Sequence, residues 1–331
     1  MKIIADKNIP FLEGRLRDAR LILLPASEIT PDAVRDADGL IVRTRTRCDA
    51  ELLQDSKVKA IATATIGTDH IDMEWCQSNG IAVSNAPGCN APGVALYVWG
   101  SLLRQGFDPS RHTLGVIGCG NVGGIVAEWG ERLGARVLVA DPPRQERGMT
   151  DRNYVEHEYL LAQSDAVTLH TPLTFSGAHP TFHLINEESL RLLKPGAIFV
   201  NAARGEVAAT DAICRAIESG RIGKAIIDTW EDEPHIDGRL LRLSDVATPH
   251  VAGYSVEGKQ RATRMALEAI GEALNTKVDT DRLTPPYKSP SALSTDLIVR
   301  AFDPAPLTGR LKASPSSFEE LRNTYQLHRE L

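Results

Sequence analysis

Arg204, Glu233 and His250 are the residues whose types and places in this chain of 331 could do chemistry together. Each stands at or just past an apolar run that reads as a short strand. Arg204 lies in NAARG after residues 197–202, Glu233 in DTWEDEP after 224–229, and His250 in TPHVAG at the end of 245–250. In an open α/β sheet, ligands gather outside the carboxyl ends of the strands. There an imidazole can take a hydroxyl proton near neutral pH. A nearby carboxylate can orient that ring and stabilise its cation. A guanidinium can grip a substrate carboxylate through two parallel N–H donors. Taken singly, each residue has a plainer reading: a loop histidine, a wet EDE run, a solvated arginine. Three successive strand ends carrying all three favour the joint reading.

A second motif lies upstream. GCGNVG, Gly118 to Gly123, follows the apolar run 113–118 and opens a helical pattern. Gly118 permits a tight turn, Gly120 lets backbone approach a pyrophosphate, and Gly123 lets helix and strand pack closely. The helix N-terminus then offers unpaired N–H groups to phosphate. Asp141 ends the next strand, RVLVAD, at the spacing of a carboxylate that accepts from ribose hydroxyls. Its charge favours NAD over NADP, although Arg144 in DPPR can offset that charge. Cys119 reads as a small filler in the turn. Together the two motifs point to hydride exchange between nicotinamide and a small 2-hydroxy acid, with His250 as base, Glu233 as its support and Arg204 on the carboxylate.

The elements that must position these residues alternate strand and helix, which predicts an α/β fold with parallel sheets. Strands are expected at 2–6, 20–25, 39–44, 59–65 and 81–87, then in a second series at 113–118, 136–141, 166–171, 197–202, 224–229 and 245–250. Helices fit 49–56, 70–79, 88–106, 121–133, 186–193, 209–219 and 254–275. The expected fold is two doubly wound parallel-sheet domains, one flavodoxin-like and one Rossmann, plus a small C-terminal appendage. Residues 1–95 would form the substrate domain, completed by a helix near 254–279. Residues 96–253 would hold NAD, and the Pro- and Ser-rich texture after 280 marks 280–331 as the appendage.

Composition bounds the rest. The chain is 42% hydrophobic and 24% charged, with a formal net charge of −6. Nothing in that balance suggests a nucleic-acid partner. No run approaches a membrane span, and the N-terminus lacks the apolar stretch of a signal peptide. Five widely spaced cysteines without a CxxC pair argue against a metal site and fit a reducing, cytoplasmic setting.

GxGxxG with its following Asp, then ARG, the D-x-x-x-x-E-P loop and PHxAG resemble the D-isomer-specific 2-hydroxyacid dehydrogenases. Within that family, GTDHID (67–72), APGCNAPG (86–93), DPPRQERG (141–148), HTPLT (170–174), PTFHLINEE (180–188) and HVAGYSVEGKQRAT (250–263) resemble a branch of pyridoxal phosphate biosynthesis. That branch acts on a four-carbon phosphorylated hydroxy acid. The resemblance covers roughly residues 1–275, and faintly 317–325. It implies the same trio. It adds cofactor contacts at Asn121, Val122, Asp141, Thr171, Ala202, Ala203, Arg204, Asp228 and Gly253, beside the three glycines. It adds substrate contacts at Thr44, Thr65 and Tyr254. Arg43 and Arg45, in the same VRTRT loop as Thr44, favour a phosphate by charge. The resemblance also implies a homodimer, with 280–331 as a shortened dimerisation domain. Two departures stand out: Leu96 where the family carries an acid, and GEVAATD (205–211) where a more apolar run is usual. The alternatives are the same chemistry on another hydroxy acid, such as phosphoglycerate or glyoxylate, and an NAD-sensing scaffold without turnover.

Overall fold

The computed structural model of the protein describes every residue except Asn153. The short apolar runs become strands, and every strand pair is parallel. The chain divides into two compact units. The first comprises Met1–Asn90 and Ser255–Lys288. Its strands are β1 (Lys2–Asp6), β2 (Arg20–Leu24), β3 (Gly39–Val42), β4 (Ala60–Thr63) and β5 (Ala82–Ser84). They pair in the order β2-β1-β3-β4-β5, the flavodoxin-like arrangement. GLIV and AIAT in β3 and β4 are buried throughout, which is why they read as unbroken apolar runs rather than alternating ones. The helix Val256–Leu274 starts where the Ser255 hydroxyl accepts from the Gly258 N–H, and stops at Asn275 in the left-handed conformation. Its Ala266, Leu267 and Ile270 pack with Ile3, Ala5, Ile41 and Ala60, so this helix completes the unit's core.

The second unit comprises Ala91–Tyr254 and Ser289–Leu331. Its strands are β6 (Thr113–Ile117), β7 (Arg136–Ala140), β8 (Ala166–Leu169), β9 (Ala197–Asn201), β10 (Ile222–Ile227) and β11 (Val246–Ala247). Their order is β11-β10-β9-β8-β6-β7. Beyond β7, Tyr154 adds a single parallel bridge to Val139. Strand order reverses between β6 and β8, so the Gly118–Gly123 turn sits at the topological switch point where open α/β sheets take their ligands. β9, β10 and β11 lie side by side, so the three loops that carry Arg204, Glu233 and His250 leave one end of the sheet as neighbours. The helix Ala91–Arg104 is buried from Ala91 to Leu102. Leu96, at the family's acidic position, is wholly buried in that apolar core.

Residues 280–331 do not form a separate appendage. Those up to Lys288 belong with the first unit, and Ser289–Leu331 is built into the second. The helices Thr295–Ala301, Ala305–Ala313 and Phe318–Asn323 bury apolar residues at helical spacing. Ile298 and Phe302 join the core around the helix Ala91–Arg104. Leu307, Leu311, Phe318 and Leu321 join the core of β8 to β10. The Thr308 hydroxyl accepts from the Ala247 N–H at 3.1 Å, which ties the tail to β11. Among the described residues, no helix is long and apolar enough to cross a membrane. Phe318 is fully buried. Phe318→Ala should therefore lower the stability of the second unit by about 3–5 kcal/mol in denaturant unfolding. An unchanged midpoint would contradict the packing of the tail.

Candidate active site

The glycine turn fits a dinucleotide phosphate. Gly118 has φ +86°, and a Cβ there would stand 2.8 Å from the His170 carbonyl carbon. A Cβ on Gly123 would stand 1.9 Å from the Gly118 carbonyl oxygen. These two glycines are therefore demanded by the chain's own backbone. At Gly120 a Cβ would meet nothing within 4 Å, so the middle glycine faces open space. The helix Asn121–Arg132 begins there without a side-chain cap, which leaves the N–H groups of its first turn, Asn121 and Val122 included, for an anion. Close by in sequence to the His170 packing, the Thr171 hydroxyl is buried and has no hydrogen-bond partner. Such a group calls for a ligand partner.

Asp141 links this turn to β7. One carboxylate oxygen accepts from the Cys119 N–H at 2.7 Å and the other from the Arg144 N–H at 3.1 Å. Arg144 is itself engaged: its Nε donates to the Tyr154 hydroxyl at 3.0 Å and its Nη2 to Asp151 at 3.1 Å. The Arg144 guanidinium is thus engaged by Tyr154 and Asp151. Burial pushes the Cys119 thiol up, which makes it the inert filler expected. Burial also pushes His170 down to about 3, so this ring packs under the turn as a neutral group, 3.0 Å from the Thr168 hydroxyl.

The loops after β9, β10 and β11 are fastened to one another. Buried Asn201 ends β9; its amide donates to the Arg204 carbonyl at 3.0 Å, and its oxygen accepts from the Ala203 N–H and the Thr229 hydroxyl. Gly205 lies so close to the next loop that a Cβ would stand 1.9 Å from the Trp230 carbonyl carbon. The Trp230 indole N–H donates to the Thr248 carbonyl at 2.9 Å, which ties the second loop to the third. Asp228 is buried, and its carboxylate accepts from the Thr248 hydroxyl at 2.6 Å and from the Val251 and Ala252 N–H groups at 2.9 and 3.0 Å. The Tyr97 hydroxyl in turn donates to Thr248 at 2.7 Å. Burial pushes Asp228 up, opposed by His250, the Thr248 hydroxyl and the two amides.

His250 and Glu233 meet. The His250 Nδ1 lies 2.8 Å from the Glu233 Oε2, and the other carboxylate oxygen accepts from the Trp230 N–H at 3.0 Å. Burial pushes Glu233 up, but the hydrogen bond and charge of His250, the Trp230 amide and Arg322 outweigh it and hold the carboxyl below its usual range. With the carboxylate ionised, Nδ1 donates and the Nε2 lone pair is left to accept a proton. His250 sits at φ 56°, the left-handed region that a non-glycine residue rarely takes. The Arg204 Nη1 donates to the Ala203 carbonyl at 2.7 Å.

Of the other expected contacts, Ala202 and Gly253 are half-buried beside these loops. Tyr254 follows directly, and its hydroxyl accepts from the Arg322 Nε at 3.3 Å. Thr44, Arg43, Arg45 and Thr65 belong to the first unit. Thr44 and Arg45 are exposed, whereas the Arg43 Nε donates to buried Asp6 at 3.0 Å. Half-buried Thr65 donates to the Gly67 carbonyl at 3.1 Å. Asn201, Trp230 and Arg322 escape a reading of the sequence. Asn201 reads as the polar end of a strand and Trp230 as loop filler, and Arg322 sits in 317–325, a segment that the resemblance touches only faintly and to which it gives no role.

A fold of two parallel-sheet units, with a dinucleotide turn at one switch point and an acid–imidazole pair at adjacent strand ends, defines a nicotinamide-dependent dehydrogenase. Residues 96–252 match the model of the D-isomer specific 2-hydroxyacid dehydrogenase NAD binding domain. The chain belongs to the D-isomer-specific 2-hydroxyacid dehydrogenase family. Over its full length it is 42% identical to the erythronate-4-phosphate dehydrogenase of Bacteroides fragilis, spanning 97% of that protein, and 40% identical to the one of Azotobacter vinelandii, spanning 93%. Among solved structures, the Aquifex aeolicus D-lactate dehydrogenase complexed with NAD and lactic acid is similar over 83% of this chain and 96% of that one. The two share 26% identity at a TM-score of 0.66.

Because Gly205 abuts the Trp230 backbone, Gly205→Ala should destabilise the second unit by about 2–4 kcal/mol in chemical denaturation. A variant as stable as the parent would show that the loops are not fastened at that point.

Proposed function

We propose that this protein oxidises 4-phospho-D-erythronate to 2-oxo-3-hydroxy-4-phosphobutanoate with NAD, a step of pyridoxal phosphate biosynthesis. The observation that carries the reading is the Glu233–His250 pair at 2.8 Å, in a chain similar along its whole length to enzymes of that name.

His250 acts as the base. Its Nε2 accepts the proton of the substrate 2-hydroxyl as that oxygen becomes a carbonyl, and Glu233 steadies the imidazolium through Nδ1–H. Arg204, swung from the Ala203 carbonyl, grips the substrate carboxylate with its planar fork. NAD, when bound, supplies the acceptor for the hydride that leaves C2. The Gly118–Gly123 turn with Asn121 and Val122 would hold its phosphates, and Asp141 its ribose. Thr171, Ala202, Ala203 and Gly253 would line the rest of its site. Asp228, assigned to the cofactor by resemblance, has both carboxylate oxygens engaged by the His250 loop, and we give it the part of organiser instead. Thr44, Thr65, Tyr254 and Arg45 are assigned to the substrate. Arg43, whose Nε donates to Asp6, would join Arg45 in favouring the phosphate by charge. We assign the enzyme to the cytoplasm, a reading supported by its five buried free cysteines, which suit a reducing compartment. A homodimer completes the reading. It is supported by the exposed rings of Phe175 and Phe182, 5.3 Å apart on the second unit, and a monomer mass of 36.0 kDa in light scattering would refute it.

A substrate panel tests the function. Reduced nicotinamide should accumulate with 4-phosphoerythronate far faster than with phosphoglycerate, glycerate or lactate. Preference for one of those acids would reassign the substrate, and NAD binding without turnover of any acid would point to a scaffold. His250→Ala should lower kcat by about 10²–10⁴-fold while NAD affinity stays nearly unchanged. Turnover at the parental rate would remove His250 as the base.

A further inference from the structure

The C-terminal helix Phe318–Asn323 reaches the acid–imidazole pair. Phe318 and Leu321 are buried in the core of the second unit and fix the helix there. Arg322 then projects to the Glu233 carboxylate, with Nη1 4.0 Å from Oε2, the same oxygen that faces His250. Its Nε donates to the Tyr254 hydroxyl at 3.3 Å, and Glu319 lies 3.6 Å from Nη1. The side chain is 23% exposed, so solvent screens it only in part.

We propose that Arg322 is a positioning residue that sets the working pH of the base: its guanidinium shares the Glu233 carboxylate with His250 and so disfavours the imidazolium. The inference rests on His250 being the base. The physics is a three-body charge balance. A carboxylate between two cations stabilises each, while the cations repel each other at a separation of no more than about 7 Å. Oxidation starts from the neutral ring, so a fixed cation behind Glu233 keeps the base available to lower pH. Other charged or titratable groups also face this cluster. Asp228 faces His250 and favours its cation, and it is constant across both forms of Arg322 because its carboxylate is held by Thr248, Val251 and Ala252. Burial, with Asp228, pushes Tyr325 up to about 12, and burial also holds Tyr97 in its neutral form, so neither titrates in the working range. Glu319 opposes Arg322 from the same helix.

The test compares pH profiles of kcat/KM for oxidation in the full-length enzyme. In Arg322→Gln the acid limb should move alkaline by about 0.5–1 unit. Arg322→Lys, which keeps the charge, should stay near the parent. In Glu319→Gln, at a half-buried position and independent of the fold of Arg322→Gln, the limb should move the other way. The same direction and order should appear in the pH at which the His250 ring titrates by NMR in the ligand-free proteins, assigned with His250→Asn. That readout needs no substrate, so it separates failure of this inference from failure of the assigned reaction. A kcat lowered equally at all pH values with the limb unmoved would leave Arg322 a merely structural part and overturn the inference. Equal shifts in the Gln and Lys variants would overturn it as well.

Discussion

The buried carboxylate of Asp228 is the constraint on which the site depends. A carboxylate is costly to remove from water unless its lone pairs are met by donors. Here the donors are the Thr248 hydroxyl and the Val251 and Ala252 amides, all from the loop that follows β11. The Asp228 carbonyl also accepts from the His250 N–H at 2.8 Å. These bonds hold His250 in a left-handed conformation that its side chain would otherwise avoid, at a cost of about 1–3 kcal/mol met by the surrounding structure. The imidazole is thereby aimed at Glu233 before any substrate arrives, so little reorganisation is left for the reaction.

The adjoining loops extend the same logic sideways. Gly205 lets the β9 loop touch the Trp230 backbone, and Trp230 reaches the Thr248 carbonyl. Three segments separated in sequence are thus tied into one rim. The guanidinium of Arg204 is the exception: among the described residues it is bonded to its neighbour's carbonyl alone, and a side chain so held can turn toward a carboxylate without disturbing the rim.

Much of this was legible in the sequence, and the reasons are physical. Strands buried on both faces, such as GLIV and AIAT, read as apolar runs, so the alternation of strand and helix emerged directly. Functional groups at strand ends stood out because Arg204, Glu233 and His250 each follow such a run. The short helices Pro142–Glu146, His157–Gln163 and Gly238–Leu243 did not emerge, because five to seven residues are too few to show a helical period. The tail failed for a related reason. PPYKSPSALS reads as a linker, and nothing local reveals that Phe318 and Leu321 are core residues or that Arg322 lies beside Glu233. Asp228 entered only through the family resemblance, as a cofactor contact, and nothing in its local sequence announces the hydrogen bonds that its carboxylate makes with the loop after β11.

The account stands on His250 as the group that meets the substrate hydroxyl. A crystal structure of the enzyme with NAD and 4-phosphoerythronate tests that most directly. The account predicts the 2-hydroxyl oxygen at about 2.6–3.2 Å from the His250 Nε2, with the Nδ1 still on Glu233 and the substrate carboxylate on Arg204. A bound hydroxyl facing some other side chain, with His250 out of reach, would contradict it.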